Sequence, residues 1–184
     1  FARWSAPTPP SAASSTTPVH SIVEPGVDLI ADSLREDPQH PVVLFATQTT
    51  VDENSHRAAI EALGLDPARV IPQPCPELSD AIERGAASEE TELLVMTFVD
   101  EAITALGASS GPLTASLNCS HYGYAASTFE TTLQDYGFDP VTVLNPNSKM
   151  VDRLFTTPLE ARYPESRVTV TIVSAVEIPQ EKRE

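Results

Sequence analysis

From Pro18 onward, short apolar runs alternate with amphipathic runs, and turn residues separate them. No other feature of the chain constrains its fold so strongly. Val42 to Ala46 is apolar throughout, as suits a strand buried on both faces. Runs with apolar residues three and four apart suit helices that cover such strands. Repeated strand-helix units build a parallel sheet with helices packed on it. The expected fold is therefore α/β: a three-layer α/β/α lobe around a mainly parallel sheet.

The pattern predicts strands at 19–23, 42–46, 69–71, 113–117 and 141–144. It predicts helices at 27–35, 52–63, 77–84, 88–106, 124–135 and 147–155. Pro25-Gly26 reads as the break between the first strand and the first helix. Gly64 and Gly85 are ordinary helix stops. Ser88 is a cap, with Glu89, Glu90 and Glu92 in the favourable first turn of the helix it opens. The stretch 167–178 alternates β-branched and polar residues and reads as one or two strands. Residues 1–17, rich in Pro, Ser, Thr and Ala, read as a linker or mobile loop. The expected division is thus 1–17 linker, 18–146 α/β lobe, and 147–184 a segment that returns toward another lobe.

Composition narrows the function. A hydrophobic share of 41% is enough to bury a core in 184 residues. The net charge of -15 argues against a nucleic-acid partner, since no basic surface is available to neutralise phosphates. No apolar run is long enough to span a membrane, and the N-terminus lacks the pattern of a signal peptide. The two cysteines, Cys75 and Cys119, make neither a disulfide framework nor a CxxC. A reduced, cytoplasmic compartment is the plain reading. The chain begins at Phe1 and stops in a charged segment, so both ends look cut from something longer.

Ligands of open α/β sheets gather at the carboxyl ends of the strands. Three strand ends here carry hydrogen-bonding or reactive residues: Thr47-Gln48-Thr49-Thr50, Asn118-Cys119-Ser120-His121-Tyr122 and Asn145-Pro146-Asn147-Ser148. The middle one is the sharpest. A cysteine between a strand and a helix faces the positive end of that helix, which favours its thiolate. His121, two residues on, suits a general acid or a partner for the thiolate. The bland reading is a half-buried thiol beside a surface histidine. By the same logic, Thr49 and Thr50 also fit as caps for a helix near Asp52, and Glu83 fits as a solvated helix residue. Cys75, between two prolines, reads as structural. His20, His40 and His56 carry no assigned role.

Asn118-Cys119-Ser120-His121-Tyr122 resembles the Gly-Cys-Thr-His-Tyr signature around the second catalytic cysteine of glutamate racemases, in the Asp/Glu racemase superfamily. Other stretches are similar in the same order. Pro18 to Gly26 resembles the strand and Pro-Gly turn at the lobe boundary. Ala46 to Val51 resembles the Gly-Thr-x-x-Thr-Val loop. Pro74-Cys75-Pro76 with Ile82-Glu83-Arg84-Gly85 resembles the Ala-Cys-Pro and Val-Glu-x-Gly segments. Leu144 to Ser148 stands where the family has Ile-Asp-Ser. The likeness covers roughly residues 18–155. It implies racemisation of an acidic amino acid, glutamate or aspartate, with no cofactor and no metal. One thiolate takes the Cα proton and a second thiol returns one from the opposite face. Carried over by position, Cys119 would be the second acid/base, His121 its support and Glu83 the carboxylate that orients His121. Ser120, Thr50 and Thr49 would bind the substrate. A role in supplying D-glutamate for the cell wall follows from the resemblance alone.

The family's first lobe, with its Asp-Ser-Gly loop and its Cys-Asn-Thr segment, has no counterpart here. A lobe without its neighbour is expected to be poorly stable or to associate, for instance as a homo-oligomer. Three accounts follow. The chain is part of a longer racemase, or a one-cysteine relative like the arylmalonate decarboxylases, or a non-catalytic lobe that binds a small carboxylate or a protein. The first is preferred. Asn118 and Ser120, standing for Gly and Thr, leave the choice of acidic substrate open.

Overall fold

The computed structural model describes residues 21–37, 40–107, 110–154 and 165. Its sheet has four strands, β1 Val42–Ala46, β2 Val70–Pro74, β3 Gly111–Asn118 and β4 Phe138–Leu144. They run parallel in the order β2-β1-β3-β4. The helices are α1 Val23–Glu36, α2 Gln48–Glu53, α3 Ser55–Ala62, α4 Leu78–Arg84, α5 Glu89–Leu106, α6 Ala126–Asp135 and α7 Pro146–Leu154. The chain divides into compact units between Val151 and Asp152.

The three layers follow from the two-residue period of a strand. All five β1 residues are buried, because β1 lies between β2 and β3 with helices on both sides. Val43 and Phe45 face one way, with Leu113, Ala115 and Leu117 of β3, and meet Leu78 and Ile82 of α4, Val95 and Val99 of α5, and Phe129 and Leu133 of α6. Val42, Leu44 and Ala46 face the other way, into Val27, Ile30 and Leu34 of α1 and Ile60 of α3. Phe45 and Phe129 meet with ring centroids 4.8 Å apart, a contact worth about 1 kcal/mol beyond the area it buries.

Several expected elements change; among the strands, 69–71 becomes Val70–Pro74, 113–117 becomes Gly111–Asn118 and 141–144 becomes Phe138–Leu144. The first helix begins at Val23, so Pro25 and Gly26 lie inside its first turn and do not break the chain before it. Proline is tolerated there because first-turn N–H groups have no partner within the helix. Of the strand expected at 19–23, residues 19 and 20 lie outside the described residues and Val23 is helical. The helix expected at 52–63 is two helices, split at Asn54, which adopts the left-handed conformation with φ 52°. Thr47, rather than Thr49 or Thr50, caps the first of them by accepting the Thr50 N–H. The helix expected at 124–135 opens as a 3₁₀ turn over Tyr122–Ala125, and α6 follows it. The expected linker at 1–17 and the expected strands at 167–178 lie outside the described residues.

Candidate active site

The carboxyl ends of β1, β2 and β3 open on the same side, because the strands are parallel and in register. Ala46 is level with Pro74 on one flank and with Asn118 on the other. Three loops therefore leave this edge together: Thr47 onward, Cys75 onward and Cys119 onward.

The Cys119 turn is held from beneath. Tyr122 is fully buried, and its hydroxyl donates to the Cys75 carbonyl oxygen at 3.0 Å. The Tyr122 N–H bonds the Cys119 carbonyl oxygen at 3.1 Å, which closes the turn through Ser120 and His121. From outside, Asn147 Nδ2 donates to the Ser120 carbonyl oxygen at 2.9 Å. Asn147 is itself placed by its backbone N–H bonding Asn145 Oδ1 at 3.1 Å. The turn is thus tied to the β2 loop below it and to the start of α7 beside it.

On this turn, Cys119 Sγ stands 3.7 Å from His121 Nδ1, and His121 Nε2 stands 2.8 Å from Glu83 Oε1. Glu83 comes from α4, whose other face buries Leu78, Ala81 and Ile82 in the core. That packing aims Glu83 outward, across the loop, at the imidazole. Thiol, imidazole and carboxylate form one line, with each imidazole nitrogen facing one partner. A carboxylate on Nε2 fixes the tautomer and leaves Nδ1 to the sulfur. Such a line can move a proton on and off the thiol, or hold a charge on it.

Beside the sulfur is a recess of about 70 Å³. Cys119, Ser120 and Thr50 line it, so three of the residues expected at the site come together there. Thr50 Oγ1 is 3.0 Å from Thr47 Oγ1. Thr49 is exposed on α2 and does not line the recess. His121 and Glu83 also stand outside it, behind the sulfur.

The recess residues without an assigned role in the sequence include His56 and Asn118. His56 of α3 is 3% exposed, and its Nδ1 has no hydrogen-bond partner. Burial holds its imidazole below the ordinary histidine value, and the neighbouring Asn118 side chain offsets part of that. Asn118 donates from Nδ2 to Ser116 Oγ at 2.8 Å, while its buried Oδ1 has no partner. Both side chains press on α1 at Gly26. A Cβ there would lie 2.5 Å from Asn118 Oδ1 and 3.2 Å from His56 Nε2. The available signals were Asn118 at a strand's last position and a glycine inside a helix's first turn.

Cys75 has a different environment. It is 1% exposed, its N–H bonds the Ala46 carbonyl oxygen at 2.8 Å, and burial pushes its thiol up. Pro74 and Asn118 lie on opposite sides of Ala46, about two strand spacings or roughly 9.5 Å apart. The cysteines that follow them are both free thiols.

A larger groove, of about 680 Å³, lies between α5 and α6, but no cysteine or histidine lines it. Among the described residues, no cluster of His, Cys, Asp or Glu is placed to hold a metal ion, and no helix is long and apolar enough to cross a membrane.

Over 90 residues, this chain is 33% identical to a glutamate racemase of Phenylobacterium zucineum (strain HLK1). The match takes in 49% of this chain and 31% of that protein, so the chain spans less than a third of its curated relative's length. No protein-family model matches the chain. The similarity is compatible with the racemase superfamily and with an isomerase.

Proposed function

We propose that this chain carries one half of a cofactor-independent amino-acid racemase site, acting on glutamate or aspartate. Cys119 is the acid/base at one face of the substrate Cα. His121 supports it, and Glu83 orients His121. Ser120 and Thr50 hydrogen-bond the substrate at the recess. The single observation that carries this reading is the line from Cys119 Sγ through His121 to Glu83, 3.7 Å and then 2.8 Å, at the rim of a recess at the strand ends. Abstraction from Cα is difficult, so a base must be placed accurately and the developing enediolate must meet fixed hydrogen-bond donors. Ser120 and Thr50 are candidates for those donors. The partial match to a glutamate racemase supports the same class.

Proton exchange tests this reading. The chain is incubated in D2O with L-glutamate, and separately with L-aspartate, and the Cα–H signal is followed by NMR. Exchange that disappears in Cys119→Ala is the expected result. A D-isomer formed alongside it would show that a second base is at hand. A folded chain that exchanges neither substrate would refute the proposal.

A second reading rests on Cys75. With Cys75 buried and bonded away from the recess, Cys119 is the one described thiol that opens on it. One thiol suffices to protonate an enediolate left when a malonate loses carbon dioxide. Carbon dioxide released from a prochiral malonate, with one enantiomer of product in excess, would favour this chemistry.

A further inference from the structure

The recess beside Cys119 has no charged wall. Among the described residues, neither Lys, Arg, Asp nor Glu lines it, and the chain as a whole is at -15. A carboxylate entering it leaves water and meets an unfavourable field. Hydroxyls and amides soften that cost but supply no countercharge. One lining residue can supply it.

We propose that His56 is the countercharge for the ligand's carboxylate, and that it takes up a proton from solvent as the carboxylate enters. The proposal rests on the reading above for the nature of the ligand, and on the geometry of the recess for the role of His56. His56 is 3% exposed and lines the recess, and its Nε2 faces Gly26 beside Asn118, another lining residue. The recess, of about 70 Å³, has room for a small headgroup such as a carboxylate.

The surroundings leave the role to His56. Cys119 is the other titratable residue that lines the recess. Glu24 and Asp28 on α1, Asp52 and Glu53 on α2, Glu61 on α3 and Lys149 on α7 do not line it. Arg57, next in sequence, is turned away and donates from Nε to the Pro67 carbonyl oxygen at 3.0 Å. The free imidazole is kept neutral by burial. An anion brought beside it reverses the preference and favours the charged ring. Binding and protonation are then linked: neutral His56, a proton and a carboxylate become an imidazolium–carboxylate pair.

The test is calorimetry of L-glutamate binding to the whole chain at neutral and mildly alkaline pH, in buffers of different ionisation heat. Uptake approaching one proton per ligand is expected, with affinity falling about tenfold per pH unit on the alkaline side. His56→Gln should remove the uptake and flatten the profile, whereas His121→Gln should keep the uptake. Cys119→Ala should also keep it while losing Cα exchange, which separates this inference from the racemase reading. Because His56→Gln also perturbs a buried position, the imidazole ¹⁵N resonances of the unmodified chain give an independent readout. L-Glutamate should move the His56 signals toward the doubly protonated form. Binding without proton uptake, uptake lost in His121→Gln alone, unmoved His56 resonances, or no binding of either L-glutamate or L-aspartate to the folded chain would each overturn the inference.

Discussion

At the residue scale, position on the sheet edge gives ordinary side chains distinct roles. Cys119 and Cys75 each follow a strand, yet only Cys119 meets an imidazole and a recess, while Cys75 is sealed beneath the Tyr122 hydroxyl. Glu83 should matter for activity far more than for stability. Its side chain is 58% exposed, so replacing it disturbs no packing. Glu83→Gln should change folding stability by no more than about 0.5 kcal/mol, seen in urea melts. It should slow Cα exchange by about tenfold or more, because an amide no longer fixes the tautomer of His121. An unchanged exchange rate would remove Glu83 from the proposed machinery. His56 should leave its mark on acid stability. Its folded value lies below the ordinary 6.5, so between the two values the unfolded chain binds the extra proton. Stability from this residue is complete above about 6.5 and is lost as pH falls toward the lowered folded value. His56→Gln should show a shallower loss in melts over that range; a loss as steep as that of the parent chain would place the acid sensitivity elsewhere. The cysteine-histidine pairing was legible in the sequence, because its members are two residues apart. His56 was not legible, because its importance comes from α1 and Asn118 closing around it.

At the element scale, β1 and α5 were read more accurately than the joints around them. β1 was located to the residue, since a run apolar on both faces has one solution. α5 began one residue after its Ser88 cap, whose hydroxyl accepts the Thr91 N–H. The misread joints were those in which local signals compete. Pro25-Gly26 looks like a break in one dimension, but Pro25 is harmless in a first turn and Gly26 is there for clearance. Asn54 was invisible as a joint because no proline or glycine interrupts the run from Asp52 to Leu63. The clearance at Gly26 makes its own prediction. In Gly26→Ala the new methyl meets Asn118 Oδ1, whose Nδ2 is already committed to Ser116. Relief requires Asn118 to swing aside or α1 to lift, either of which reshapes the recess. A destabilisation of about 1–3 kcal/mol is expected, although alanine is the better helix former. Thermal melts decide it: a stabilised variant would mean that the contact relaxes freely and that the glycine has no packing role.

At the scale of the whole molecule, the α/β class followed from alternation alone, because parallel strands need helical crossovers and both sheet faces must then be covered. The order β2-β1-β3-β4 could not be read that way, since it depends on which strands meet and every apolar run is an equally good neighbour. Composition has a separate consequence. A net charge of -15 sets most of the surface against itself, and folding concentrates that repulsion. The described ion pairs do little to offset it. Arg84–Glu90 and Arg35–Asp32 are exposed pairs at 2.7 and 3.3 Å, of a kind worth little in water. Salt weakens these pairs slightly but screens repulsion over the whole surface, as the Debye length falls from about 30 Å at 0.01 M to about 8 Å at 0.15 M. Screening of the repulsion should win, so the melting temperature at neutral pH should rise as sodium chloride increases over that range. A fall would mean that favourable charge pairs outweigh the net repulsion. The slope should shrink toward zero as pH approaches 4.5, the sequence isoelectric point, where the net repulsion vanishes.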